Sequence, residues 1–408
     1  MLSMEAFIKL QDIATYMDLE PAEELRFNPP VNPPAPAIAP CGQVLAPEKA
    51  LAPRRRPSKK ESLGVFHAAV PGGKTVPMLK TLLTSACERN CYYCPFRAGR
   101  NYRRTTFKPE EMARAFIDMH RAGTVQGLFL SSGIIQGGAR TQDRLIATAE
   151  ILRQKYAFRG YLHLKIMPGA EKDQVVRTMQ LADRVSINLE APNDRRLQML
   201  APRKDFFDEL VRPLQWAEEI RQTQPAHQGW NGRWPSTVTQ FVVGGGDESD
   251  LEILTTTEYL TKRLQLRRAY FSAFSPISDT PLENRPAENP WRQHRLYQTS
   301  FLFRDYGFDL EELPFDENGN LPLNLDPKAA WAEANLTGTP VEINRASQQE
   351  LLRVPGIGPK SAQRIVTARR QGKLRDLQDL RAIGIQTKRL SPFVLLDGKR
   401  PLRQLPLF

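Results

Sequence analysis

Along the middle of the chain, short apolar runs alternate with stretches whose apolar positions recur at helical spacing. The runs predict strands over 79–85, 127–132, 161–167, 184–189, 237–243 and 269–275. Between them, 141–157 reads as a helix, with Thr141 as cap and Leu145, Ile146, Ala149, Leu152 and Tyr156 on one face. Pro109 followed by Glu110 and Glu111 marks another helix start, because proline gives up an amide that is unpaired there and acids suit the positive end of the dipole. Six strand-helix units predict an α/β body with a parallel sheet wound in one sense, either doubly wound or a partial barrel.

The ends of the chain have a different pattern. Residues 4–18 predict a short amphipathic helix, and residues 28–57 are proline-rich with the basic run Arg54-Arg55-Arg56, a solvated tail or a strap over the surface. A connector rich in proline and acid separates the body from short helices joined by glycine-containing hairpins. The domain reading is therefore 1–62 tail, 63–310 body, 311–335 linker and 336–400 helical module.

Composition narrows the class. Of 408 residues, 41% are apolar and 25% charged, which is enough for a sizeable core. No run approaches the ~20 apolar residues of a spanning helix and no signal pattern opens the chain, so the expectation is a cytoplasmic protein without a membrane partner. Residues 338–408 carry 14 Lys and Arg against 5 Asp and Glu, +9 of the chain's +12. That concentration points to a polyanion, the competing reading being a basic domain with no anionic ligand.

Four cysteines stand at 41, 87, 91 and 94, three of them within eight residues, which is metal-ligand spacing rather than a disulfide framework. Cys87, Cys91 and Cys94 follow the first predicted strand, at the carboxyl end of a parallel sheet where catalytic groups collect. Three thiolates leave one iron of a four-iron cluster open to an exogenous ligand. The alternative is a structural zinc site completed by a histidine such as His67. Cys41 reads as an ordinary thiol. One leftover cysteine excludes a second cluster held by three or four thiols. Lys165, Asn188 and Glu190 are polar residues in predicted strand interiors, where apolar side chains are the rule; pairing of Lys165 with Glu190 is the alternative to a ligand role.

Cys-x3-Cys-x2-Cys after the first strand of a six-fold strand-helix repeat resembles the radical S-adenosylmethionine (AdoMet, SAM) superfamily. The resemblance implies a partial TIM-like (β/α)6 barrel, and a 4Fe-4S cluster whose open iron is chelated by AdoMet. Reductive cleavage then yields a 5′-deoxyadenosyl radical that abstracts hydrogen. By the same resemblance Tyr93 packs on the adenine and Ser131, Ser132 and Gly133 take the AdoMet amino group. Lys165, Asn188 and Glu190 hold its carboxylate and ribose, and Gly244 of the triple glycine 244–246 lies near the adenine. An electron donor such as flavodoxin or ferredoxin is implied too. No residue is assigned to the abstraction step itself.

In the module, Ser347 with Glu350 forms a capping box, Pro355 stops that helix, and Gly356-Ile357-Gly358 precede Pro359 at the next helix start. Exposed amides at a helix mouth make an anion nest, and with Lys360 and Arg364 nearby the favoured anion is a backbone phosphate. The pattern resembles the helix-hairpin-helix of DNA repair and uptake proteins, with Gly356, Ile357, Gly358, Lys360 and Arg364 as DNA contacts. A degenerate second copy runs over 380–388; a purely structural hairpin domain is the alternative. The tandem order resembles the DNA modification or repair radical SAM group, which implies a nucleic-acid substrate, DNA ahead of RNA, and a uracil-DNA-glycosylase-like partner. The rival functions are an enzyme acting on structured RNA such as tRNA, and a non-catalytic, metal-stabilised DNA-binding scaffold.

Overall fold

The computed structural model describes residues 2–17, 63–69 and 75–401; Cys41, the proline-rich segment and Arg54-Arg55-Arg56 lie outside them. Among the described residues the chain forms two compact units. One holds the chain up to Glu248 and Tyr259–Gln293; the other holds Ser249–Glu258 and the chain from His294 onward. No helix of the described residues is long and apolar enough to cross a membrane.

The first unit opens with α1 (Met4–Met17), which buries Leu10, Ile13, Ala14 and Met17 along one stripe. There follow β1 (Val65–Ala69), β2 (Thr75–Leu82), α2 (Pro109–Arg121), β3 (Gly127–Ser131), α3 (Gly138–Glu150), β4 (Tyr161–Lys165) and α4 (Lys172–Leu181). Then come β5 (Arg184–Ser186), α5 (Asp194–Leu200), α6 (Arg212–Thr223), β6 (Ser236–Val243), α7 (Asp250–Arg263), β7 (Arg268–Ala273) and α8 (Pro290–Phe301). Both α7 and α8 contribute residues to the two units.

The sheet order is β1-β2-β3-β4-β5-β6-β7, parallel throughout except for the antiparallel β1–β2 pair. An order without reversal, joined by right-handed crossovers, puts the helices on one face and curls the sheet into an open half-barrel. This decides between the two windings that the strand count allows. Leu79, Leu128, Leu130, Leu162, Leu164 and Val185, on the helix side, are fully buried. The register sets Lys80, Phe129, His163 and Arg184 side by side on the other face. There the rings of Phe129 and His163 stack at 4.1 Å and a His163 ring nitrogen meets the Ser186 hydroxyl at 2.9 Å.

Several boundaries differ from the expectation; the strands expected over 161–167 and 184–189 end at Lys165 and Ser186. β2 starts at Thr75 and contains Pro77, a residue that argues locally against a strand. β1, an edge strand, has no predicted counterpart. The helix expected over 141–157 leaves α-geometry at Ile151 for a π-helical turn, Ile151–Lys155.

In the second unit lie α9 (Pro327–Leu336), β8 (Val341–Glu342), α10 (Gln348–Arg353), α11 (Pro359–Ala368), α12 (Leu377–Ala382) and β9 (Val394–Leu395). Its core gathers Leu336, Ile343, Leu351, Val354, Ile357, Ile365, Leu380, Ile385 and Leu390. A two-residue parallel pair, β8 with β9, accompanies the helices.

Candidate functional site

The cysteine loop is held by a stem. Thr84 bridges Thr106, Phe107 N–H donates to Leu83 O at 2.8 Å, Ser85 N–H to Thr105 O at 2.9 Å, and the Thr84 and Thr106 hydroxyls meet at 2.7 Å. Its crown is tied to other loops by Glu88 N–H donating to Ile134 O (2.8 Å) and Tyr92 N–H donating to Leu200 O (2.7 Å). Gly133 is required by this packing: its own amide reaches Thr84 O, and a Cβ there would lie 2.1 Å from Ala86 O.

Between this loop and the carboxyl ends of the strands is a cavity of about 110 Å³. It is lined by Cys87, Cys91 and Cys94, and by Tyr93, Ser131, Ser132, Gly133, Lys165, Asn188 and Glu190. All three cysteines and seven of the eight residues expected to hold AdoMet therefore share one space. Gly244 does not line it. The amides of Gly244 and Gly246 point at the Glu248 carboxylate (3.0 Å for Gly246), and Arg285 donates to Gly244 O at 3.0 Å, so the triple-glycine loop already has its anion. The expected pairing of Lys165 is answered in part: its ammonium hydrogen-bonds Asn188 Oδ1.

The cavity also has a residue that the sequence did not single out. Lys204, after α5, donates to Glu190 at 3.0 Å, and both side chains are under 10% exposed. Glu190 sits at φ +65°, a backbone position that non-glycine residues seldom adopt and that recurs at functional sites. Tyr93 hydrogen-bonds Glu190; burial, followed by that carboxylate, pushes its hydroxyl well above the usual tyrosine range. Nothing local marks Lys204 in the sequence, because its partners lie on other loops.

The thiols have the surroundings of ligands. Cys87 Sγ accepts from the amides of Arg89 and Ile134, and Cys94 Sγ from Phe96, each at 3.4 Å. Such N–H···S contacts are of the kind that tune a bound cluster. Burial pushes the Cys91 thiol up to about 11, while Lys204 acts in the opposite direction. Among the described residues no group of three or more His, Cys, Asp and Glu is arranged to hold a single metal ion. A zinc knuckle would need its donors ~2.0–2.3 Å from one centre; His67, its sequence candidate, is exposed on β1 opposite Pro77. Three thiols spread round one cavity fit the separate corners of a polynuclear cluster.

In the second unit the capping box forms as expected, with Ser347 Oγ accepting from Glu350 N–H (3.2 Å) and Glu350 accepting from Ser347 N–H (2.6 Å). Gly356 turns the chain at φ +86° and Gly358 caps α11. Lys360 and Arg364 are exposed, and Arg364 leans towards Gly384 O of the second hairpin at 3.5 Å. The side chain of Ile357 is fully buried in the module core, which leaves only its backbone for the expected contact. An apolar residue between two turn glycines anchors the hairpin.

A family model described as Radical SAM superfamily matches residues 81–260, and one described as Helix-hairpin-helix motif matches residues 337–392. No curated protein matches in sequence. Similar solved structures include the FeFe-hydrogenase maturase HydG from Carboxydothermus hydrogenoformans (15% identity, 55% of this chain and 50% of that one, TM-score 0.44). Methylornithine synthase PylB (13%, 55% and 61%, TM-score 0.43) and coproporphyrinogen III oxidase HemN from Escherichia coli (16%, 56% and 52%, TM-score 0.36) are others. The chain spans about half to three fifths of the length of these proteins, and likenesses this distant say nothing of its substrate. The superfamily uses a 4Fe-4S cluster and S-adenosylmethionine, and the cysteine triad lies within the matched segment. The chain therefore contains a Radical SAM superfamily domain over residues 81–260 and a helix-hairpin-helix motif over residues 337–392.

Proposed function

We propose that the chain is a radical SAM enzyme that removes hydrogen from a nucleic-acid substrate, in DNA modification or repair. The observation that carries the reading is the single cavity lined by all three cysteines together with Tyr93, Ser131, Lys165, Asn188 and Glu190. Cys87, Cys91 and Cys94 would hold the cluster, and the remaining lining residues AdoMet. The pair supplies one-electron cleavage of a sulfonium and, from it, hydrogen-atom abstraction. The protein's own part is positional: the stem fixes the thiols, the amides of Arg89 and Ile134 hydrogen-bond Cys87 and that of Phe96 hydrogen-bonds Cys94, and Lys204 compensates Glu190.

The hairpin glycines with Lys360 and Arg364 support a grip on the sugar-phosphate backbone, without regard to base. A base or sugar within a duplex would have to be extruded to reach the cavity, which favours damaged or single-stranded sites. An electron donor of the flavodoxin or ferredoxin type and a uracil-DNA-glycosylase-like partner complete the proposal.

The test is anaerobic reconstitution with iron and sulfide, followed by incubation with AdoMet, reductant and deuterated DNA or RNA. We expect 5′-deoxyadenosine carrying deuterium from DNA. Deuterium from RNA alone would move the substrate to RNA, and no AdoMet cleavage at all would leave a binding scaffold. Cys91→Ala is expected to lose the cluster while keeping DNA binding; cleavage retained in that variant would overturn the ligand assignment.

A further inference from the structure

Beside the first hairpin lies a groove of about 260 Å³ whose lining includes Gly356, Gly358, Tyr306, Asp326, Lys328 and Arg389. Its charges do not balance. Asp326 is engaged twice, capping α9 through Ala329 N–H (3.0 Å) and pairing with Arg389. Lys328, the second residue of α9, is 8% exposed, and its ammonium donates to Ile357 O at 2.6 Å and lies 4.6 Å from the Tyr306 ring. No carboxylate pairs with it, and among the described residues the amides of Gly356 and Gly358 have no acceptor. A buried cation with donors to spare, beside unsatisfied amides, is short of one anion.

We propose that this groove is a phosphate site whose central cation is Lys328, a residue outside the hairpin motif. The inference rests on the nucleic-acid reading of the hairpin and adds to it a charge from a helix that the matched segment 337–392 leaves out. The phosphate would sit among the glycine amides, the Lys328 ammonium and Arg389, with charge-assisted hydrogen bonds from each. Binding has a second consequence, at the proton. Burial, reinforced by Arg389 and Arg353 and opposed by Asp326, holds Lys328 down to about 7. A phosphate opposite it favours the charged form, so near and above neutral pH the site takes up a proton as it fills. Affinity is therefore higher at low pH and falls as pH rises.

The experiment measures binding of the full chain to a short labelled duplex at constant ionic strength from about pH 6 to about pH 8.5, bracketing ordinary solution conditions. Wild type is expected to weaken about tenfold across that range, the size of one charge-assisted contact. Lys328→Met should bind about as weakly at low pH as wild type does at high pH, with a flat profile. Lys328→Arg, always charged, should stay tight and flat. Calorimetry in two buffers of different ionisation enthalpy should find proton uptake in wild type and none in Lys328→Met. Equal melting of wild type and the Met variant shows that the unit is folded; should the Met variant not fold, the Arg profile and the wild-type proton uptake decide. A Met variant with wild-type affinity and pH slope, or wild-type binding without proton uptake, overturns the Lys328 site alone. Absence of wild-type binding to any duplex overturns the hairpin reading with it.

Discussion

A methyl group at Gly133 would press on the Ala86 carbonyl, backbone against backbone, with no flexible side chain to give way. Gly133→Ala should therefore displace the cysteine loop, lowering stability by about 1–3 kcal/mol and reducing iron bound per chain after reconstitution. A denaturant titration and an iron assay read the two effects, and unchanged values for both would show that the loop can move aside. The sequence singled out the glycine through a family resemblance, whereas what the structure shows is a contact between two loops. Residues 188 and 190 stood out as polar positions in a run that reads as a strand, although β5 ends at Ser186 and both lie just beyond its carboxyl end. Lys204 did not, because its neighbours arrive from the segment after β5 and from the cysteine loop. Gly244 shows the converse: the turn was legible as glycine-rich, but not that Glu248, four residues on, takes the amides of Gly244 and Gly246.

Among elements, the departure of α3 from α-geometry has a structural use. The π-helical turn carries Arg153 inward, where its guanidinium donates to the carbonyls of Leu181, Phe158 and Gly160 and pairs with Asp183 at 3.0 Å. Its side chain is 2% exposed and lies 3.8 Å from the centre of the Trp230 ring. One cation thereby ties the ends of α3 and α4 to the starts of β4 and β5. Arg153→Met should cost about 3–5 kcal/mol, because Asp183 and three carbonyls lose their partner. Adding Asp183→Asn should recover part of the loss in a double-mutant cycle, and purely additive costs would contradict the coupling. Periodicity anticipated the helix through Tyr156 because apolar spacing continues across the turn; it carries no mark of the inserted residue. The edge strand β1 was illegible for a related reason, five residues being too few for a pattern beside a strand interrupted by Pro77.

For the whole molecule, the uneven charge was the most legible feature, and it translates into a salt dependence. Lys360 and Arg364 are exposed on α11 next to the hairpin. Lys360→Ala with Arg364→Ala should weaken DNA binding at every sequence tested and lower the slope of log affinity against log salt by about 2. An unchanged slope would assign the basic balance to solubility. The six parallel strands were legible in the pattern, while the choice of a partial barrel over a doubly wound sheet came from the family resemblance, because the direction of a crossover depends on how strands twist in space.

The clasp formed by Leu83–Ser85 against Thr105–Phe107 belongs to the polypeptide alone. Its hydrogen bonds run between backbone and hydroxyl groups and use no cysteine sulfur, so none of them is a bond that a metal would have to supply. Loss of a bound cluster to oxygen is then expected to leave this clasp protected, which amide hydrogen exchange at Ser85 and Phe107 before and after oxidation would check.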